Sequence, residues 1–164
     1  MAYADYEFYT KSFFGNVVPE SDFIRFAERA SDFLDTLTFD RLTDGLPTSE
    51  KYQKRIKKAV CAVAEIYYQL DLAQKQALAT ASGASAATDA NGITTGIITS
   101  KSSGSESISY ATAQQTGAAA KEWSAVYSAA GDTKAANRLL SDAAMPYLIG
   151  VVTDDGTPIL YAGL

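Results

Sequence analysis

The stretch from Ser49 to Leu72 constrains the fold most, because it contains neither glycine nor proline. Its bulky apolar residues recur at spacings of three and four, the period of one helical face. They are Tyr52, Ile56, Val60, Val63, Tyr67 and Leu70. Every position from Ala59 to Ala64 is apolar, so this part of the helix needs cover on several sides. We therefore predict a central helix that is covered by other helices and by a neighbouring subunit.

The polar side of this helix is strongly basic in its first half. It carries Lys51, Lys54, Arg55, Lys57 and Lys58. A solvated helix face is the favoured interpretation, because no aromatic or hydrogen-bonding residues interleave with these cations to read bases. Cys61 is the only cysteine and lies in the apolar run, which indicates a small buried side chain rather than a reactive thiol.

Composition excludes several classes of function. The net charge is −5, the wrong sign for a general nucleic-acid binder. There is no histidine, which removes the commonest general base and the usual zinc sites. Two acid pairs, Asp32 with Asp35 and Asp154 with Asp155, could hold a hard cation such as calcium. A solvated face or a turn is the favoured interpretation of each pair, so we predict no enzyme, no metal site and no cofactor.

The remaining segments predict a mainly α fold in one domain of 164 residues. The N-terminal aromatic residues, from Tyr3 to Phe14, should dock as a short helix or arm, since each can bury a large area. After Pro19 an apolar stripe continues to Leu37 and includes Phe23 and Ile24. The helical body is expected at about 1–80 and 114–145, with one helix over about 114–130 and a short one ending near Leu140.

A long β-hairpin or loop over residues 82–113 should project from this helical bundle. Its strands are β-branched or alternate polar and apolar residues, and a lone two-stranded hairpin is marginally stable, so it should pair with another subunit. The residues expected to make that contact are Ile93, Ile97, Ile98, Ile108 and Tyr110.

An extended C-terminal tail is predicted over residues 146–164. Its apolar residues need cover, either from their own domain or from a partner. They are Tyr147, Leu148, Ile149, Ile159, Leu160, Tyr161 and Leu164. The helical stripes up to Leu140 look complete without the tail, so a chain ending at Met145 is expected to fold. The acidic, aromatic N-terminus is unlike a signal peptide and no run is long enough to span a bilayer, so synthesis in the cytoplasm is expected.

These residues together resemble the head–tail connector, or adaptor, family of long-tailed bacteriophages. The likeness begins with Phe13-Phe14-Gly15 and Val18-Pro19-Glu20, and continues with Leu37-Thr38-Phe39 and the stretch from Ala59 to Glu65. The segment Gly104-Ser105-Glu106-Ser107-Ile108-Ser109-Tyr110 is similar to a strand of the family, with Glu106 in place of an aromatic residue. Leu160-Tyr161-Ala162-Gly163-Leu164 is similar to its usual ending, with Ala162 in place of arginine. The order and spacing of these motifs carry the resemblance.

The resemblance implies a structural protein of the virion neck, at the head–tail interface. A ring of copies, twelve to match the portal, would extend the DNA channel and offer a platform to the stopper, neck or tail protein. The genomic DNA would pass through the ring, and the C-terminal segment with the apolar residues named above would engage the portal. No membrane is involved. The alternative is a nucleic-acid-binding or cation-binding helical module of a phage or bacterium.

Overall fold

The protein is mainly helical, as predicted. The computed structural model describes residues 2–81, 98–102, 107–110 and 125–160. The elements in chain order are α1 (Tyr6–Lys11), α2 (Glu20–Leu37), α3 (Glu50–Ala81), β1 (Ile98–Ser102), β2 (Ser107–Tyr110), α4 (Ala125–Ala129) and α5 (Thr133–Leu148). Among the described residues, no helix has the length and the apolar character needed to cross a bilayer.

The chain divides into two compact units. The first contains Met1–Gln69 and Thr133–Leu164, and the second contains Leu70–Asp132. One boundary between the units falls inside α3, between Gln69 and Leu70. The helix α4 belongs to the second unit, in which Gln74 Nε2 donates a hydrogen bond to the Ala130 carbonyl at 3.1 Å.

The N-terminal aromatic residues dock on the first unit, as predicted. Asp5 accepts a hydrogen bond from the Phe8 N–H at 2.7 Å and so caps α1. Tyr9 is fully buried, and its ring stacks on Phe23 of α2 with centroids 4.7 Å apart. Phe14 is the exception, because its side chain is 81% exposed.

Helix α2 buries the face that its apolar stripe predicts. Its buried residues are Phe23, Phe26, Ala27, Ala30, Ser31 and Leu34. Ile24 does not belong to this face, and its assignment to the stripe is wrong: the side chain is 70% exposed. It follows Phe23 by one residue, about 100° around the helix, and therefore points away from the core.

Helix α3 contributes six buried residues to the core cluster. The buried residues of its central part are Ile56, Ala59, Val60, Cys61, Val63 and Ala64. They surround most of the helix, which confirms that this segment needs cover on several sides. The half-buried rings of Tyr67 and Tyr68 meet Phe33 and Phe26 of α2 edge-on, with centroids 6.4 and 5.6 Å apart.

The C-terminal part of the first unit differs from the prediction. Helix α5 continues through Pro146 to Leu148 instead of ending near Leu140. Residues 149–160 are not an extended tail: the Ile159 N–H donates to the Val151 carbonyl at 3.1 Å. Leu148, Val151 and Ile159 are buried in the core cluster. A chain ending at Met145 would lose these three side chains, so we expect it to be unstable, against the expectation from the sequence.

The two described strands pair in an antiparallel ladder. Ile98 lies opposite Tyr110 and Lys101 opposite Ile108, with an irregularity between Ile98 and Ser100. The connection between the strands lies outside the described residues, as do Ile93 and Ile97. The projecting hairpin and its contact with another subunit therefore stay predictions. Of the helix predicted over 114–130, the structure describes Ala125–Ala129.

Candidate interaction surfaces

The predicted portal-binding residues separate into two groups in the structure. Leu148 and Ile159 are fully buried, and Tyr147 and Leu160 pack against the core. Ile149 is the one member among the described residues with a largely free side chain, 59% exposed. Tyr161 and Leu164 lie outside the described residues. Within the described part of this segment, Ile149 is therefore the main side chain that a partner could contact.

Two of the five basic residues of α3 have roles within the first unit. Arg55 donates to the Ile149 carbonyl at 2.6 Å and to the Pro146 carbonyl at 3.4 Å, so it caps the C-terminal end of α5. The Lys57 ammonium lies 5.6 Å from the centroid of the Phe8 ring. Lys51, Lys54 and Lys58 remain on one side of the helix, and none of them forms an ion pair within the described residues.

The acid pair at Asp154 and Asp155 builds a turn. Asp154 accepts hydrogen bonds from the hydroxyl and the N–H of Thr48, and these hold its pKa below the usual range. Asp155 accepts from Thr153 and Thr157, which lower its pKa in the same way. These bonds join the C-terminal turn to the loop before α3. The carboxylates are therefore occupied by structural hydrogen bonds.

An open cleft of 410 Å³ lies beside this turn, between the Asp44–Pro47 loop and residues 153–157. Its charged side chains are Arg41, Asp44, Asp154 and Asp155. Within the described part of the chain, no group of three or more carboxylate, histidine or cysteine side chains has an arrangement that could hold a metal ion.

Cys61 is buried in the core. Its residue is fully covered in the core, and burial, followed by the negative charge of Glu65, raises the pKa of the thiol to about 12. The protonated thiol is a poor nucleophile. This confirms the prediction of a structural cysteine.

Phe39 occupies an unusual position at the C-terminal end of α2. The Asp40 N–H donates to the Asp35 carbonyl at 2.8 Å and the Phe39 N–H to the Thr36 carbonyl at 3.3 Å, the two bonds of a Schellman cap. Phe39 stands where such a cap usually has glycine, with φ +57°. Its side chain is 54% exposed, with the Arg41 guanidinium 5.5 Å from the ring centroid. Asp35 and Asp40 stand where the cap often has an apolar contact.

Phe14, between α1 and α2, shows the same combination. Its φ is +61° and its side chain is 81% exposed. A left-handed conformation costs a bulky residue about 1–2 kcal/mol. Burial within this unit does not offset that free energy for either phenylalanine, because neither side chain is fully buried.

Sequence reasoning missed these exposed residues because it treated aromatic and aliphatic side chains as core. For Ile24 the signal was available, since it lies about 100° from Phe23 on the helix. For Phe39 the position after the end of the apolar stripe was the signal. Phe14 has no such signal, because its exposure depends on the turn that follows α1.

No protein-family model, curated protein or solved structure matches this sequence.

Proposed function

We propose that this chain is a structural head–tail connector of a long-tailed bacteriophage. Copies of it form a ring between the portal and the neck or tail, and the ring extends the DNA channel. The basis is the order and spacing of the motifs quoted above, from Phe13-Phe14-Gly15 to Leu160-Tyr161-Ala162-Gly163-Leu164. Twelve copies would match the symmetry that the resemblance implies for the portal.

The observation that carries the proposal is the pair of exposed phenylalanines on left-handed backbone. Phe14 and Phe39 combine a strained conformation with side chains that are 81% and 54% exposed. Strain of this kind persists where the surrounding structure enforces it, and it clusters at sites that bind or switch. Both residues belong to motifs of the resemblance. A protein that binds other subunits on several sides is expected to expose such side chains at its surface.

The portal contact is proposed for Ile149 together with the end of the chain. Ile149 is 59% exposed and follows α5 directly. The neighbouring Leu148 and Ile159 hold this segment on the core, so Ile149 is presented from a fixed position. The net charge of −5 suits a channel through which DNA slides without being bound.

Mass measurement of the purified protein, alone and with the portal protein encoded by the same phage genome, tests this proposal. A ring, or a complex in which each portal subunit binds one copy, is expected. Ile149→Ser should weaken portal binding, while Leu78→Ser, which changes another exposed aliphatic residue, should not. A protein that neither assembles nor binds the portal under any condition would overturn the proposal.

A nucleic-acid-binding module is the second candidate, and the lysine side of α3 favours it. Lys51, Lys54 and Lys58 have no ion-pair partner within the described residues. Tight binding of a DNA duplex by the isolated protein, falling steeply with added salt, would select this candidate.

A further inference from the structure

Five cations of α3 occupy one contiguous side of the helix. With about 100° between successive residues, they cover a sector of about 160°. Their order around the helix is Lys57, Lys54, Lys58, Lys51 and Arg55. Between residues 51 and 58, no other side chain lies in this sector. Arg55 at one edge is bonded to the end of α5, and Lys57 at the other edge lies over a ring of α1. We name the three lysines between them the lysine face.

The described part of the chain does not compensate the charge of the lysine face. From Lys51 to Ala64, α3 has no acidic residue. Glu50 precedes this stretch, but it forms no ion pair within the described residues. Glu65 follows the stretch and accepts a hydrogen bond from the Tyr9 phenol at 2.8 Å. The acids at both ends of the lysine face therefore leave its three cations unpaired.

This arrangement is unfavourable for the helix itself. Like charges three or four residues apart repel each other on a helix surface, and Lys51, Lys54 and Lys58 follow one another at these spacings. Lys51 also lies in the first turn of α3, where the helix dipole disfavours a cation. A bound polyanion would offset both effects.

The composition of the lysine face indicates the kind of polyanion that suits it. Protein interfaces have apolar and aromatic cores in which lysine is depleted, whereas the next residue along this side of α3 is the half-buried Ala62. A nucleic-acid backbone needs no apolar contact, because lysines that neutralise phosphates release counterions. The lysine face spans about 10 Å along the helix, and one DNA strand carries a phosphate about every 3.4 Å along its axis. Its length therefore matches about three successive phosphates.

We propose that the lysine face contacts the phosphate backbone of a DNA duplex without reading its sequence. This inference rests on the proposed connector and assigns the side of each subunit that faces the channel. Gln53, whose amide could read a base, lies on another side of the helix and donates to the Pro47 carbonyl at 3.0 Å. Contacts to the backbone alone let a protein slide along DNA, which agrees with a channel through which DNA moves.

Fluorescence anisotropy of a short labelled duplex, titrated with the full chain at several salt concentrations, tests the contact. A plot of the logarithm of the binding constant against the logarithm of the salt concentration should have a slope of about −2.7, because each copy neutralises three phosphates. Lys51→Gln, Lys54→Gln and Lys58→Gln should each reduce the magnitude of the slope by about 1 and weaken binding to duplexes of different sequence alike. Lys54→Arg should keep the slope, since it keeps the charge.

Lys11→Gln is the matched control. It removes the same charge from an exposed lysine that pairs with Glu7 at 2.8 Å, and it should leave the slope unchanged. Circular dichroism verifies the fold of each variant. Each variant is also mixed with the portal protein and its mass is measured. The variants of the lysine face should assemble as the wild type does, because this face is assigned to DNA and not to another subunit.

Two results would overturn the inference and leave the connector proposal standing if the chain still assembles with the portal. They are the absence of salt-dependent binding to the duplex, and a slope that the three glutamine variants do not change. Variants that bind the duplex normally but no longer bind the portal would overturn it as well and assign the lysine face to a protein partner. Lysine-dependent binding of the duplex by a protein that never assembles supports this contact and sinks the connector proposal alone.

Discussion

The phenol of Tyr9 donates a hydrogen bond to the carboxylate of Glu65 at 2.8 Å, and so joins α1 to α3. The same oxygen accepts hydrogen bonds from the N–H groups of Val17 and Val18, at 2.9 and 3.0 Å. Burial is the main cause that raises the pKa of this phenol to about 12, and it stays protonated and able to donate at neutral pH. Tyr9 therefore connects the N-terminal segment, the linker before α2 and the central helix.

Tyr9→Phe should lower the free energy of unfolding by about 1–3 kcal/mol, because it leaves the buried Val18 N–H without an acceptor. Urea denaturation at neutral pH measures the change. Tyr6→Phe is the matched control: Tyr6 is half-buried, and its hydroxyl has no hydrogen bond among those of the described residues. A Tyr9→Phe variant as stable as Tyr6→Phe would contradict this role.

Gly15 allows the Tyr9 ring to occupy its position. A Cβ atom on Gly15 would lie 2.0 Å from Cε2 of Tyr9, whose ring also stacks on Phe23. Gly15→Ala should therefore lower the free energy of unfolding by about 1–3 kcal/mol. Gly131→Ala is the control, because no atom lies within 4 Å of its added Cβ. Equal stability of the two variants in thermal denaturation would show that the Tyr9 ring can move aside.

The turn at Asp154 should make stability depend on pH in the acid range. The pKa of Asp154 is lower in the folded chain than in the unfolded chain, so its stabilisation is present above the unfolded pKa and is lost as pH falls through the folded pKa. Asp154→Asn should be less stable than the wild type at neutral pH, and the difference should shrink in acid. Asp44→Asn, which removes an exposed carboxylate of the same cleft, is the matched control. Denaturation curves at several pH values decide between these outcomes.

Cys61 should react slowly with thiol reagents in the folded protein. Its burial and its raised pKa both suppress the thiolate, so labelling should need local opening and run about a hundredfold slower than in the unfolded chain. Ser21→Cys in a Cys61→Ala background provides an exposed control that labels fast. Rapid labelling of native Cys61 would mean that this part of α3 opens readily.

The sequence predicted the elements with a strong period and failed where burial depends on tertiary position. The stripes of α2 and α3 follow from spacing, except at Ile24, and the burial of Cys61 follows from its place in the apolar run. The course of residues 146–160 does not, because Leu148, Val151 and Ile159 are apolar enough for a partner surface as well as for a core. Of the candidate surfaces, the lysines of α3 were visible in the sequence. The exposure of Phe14 was not, since a left-handed φ has no signature at phenylalanine.

The strain at Phe14 can be measured by comparing glycine and alanine at the same position. With φ at +61°, alanine keeps the strain of the left-handed region and glycine removes it, so Phe14→Gly should be more stable than Phe14→Ala by about 1 kcal/mol. Both variants lose little buried area, because the phenylalanine is 81% exposed.

Ile24 is the matched control, since it is 70% exposed but lies within α2. There the order should reverse, with Ile24→Gly less stable than Ile24→Ala by about 1 kcal/mol, because glycine loses more backbone entropy in a helix. Chemical denaturation of the four variants gives both differences. The same order at both positions would mean that Phe14 is not held in the left-handed region. Backbone strain that is retained for binding a partner would then not explain why the Phe14 ring is exposed.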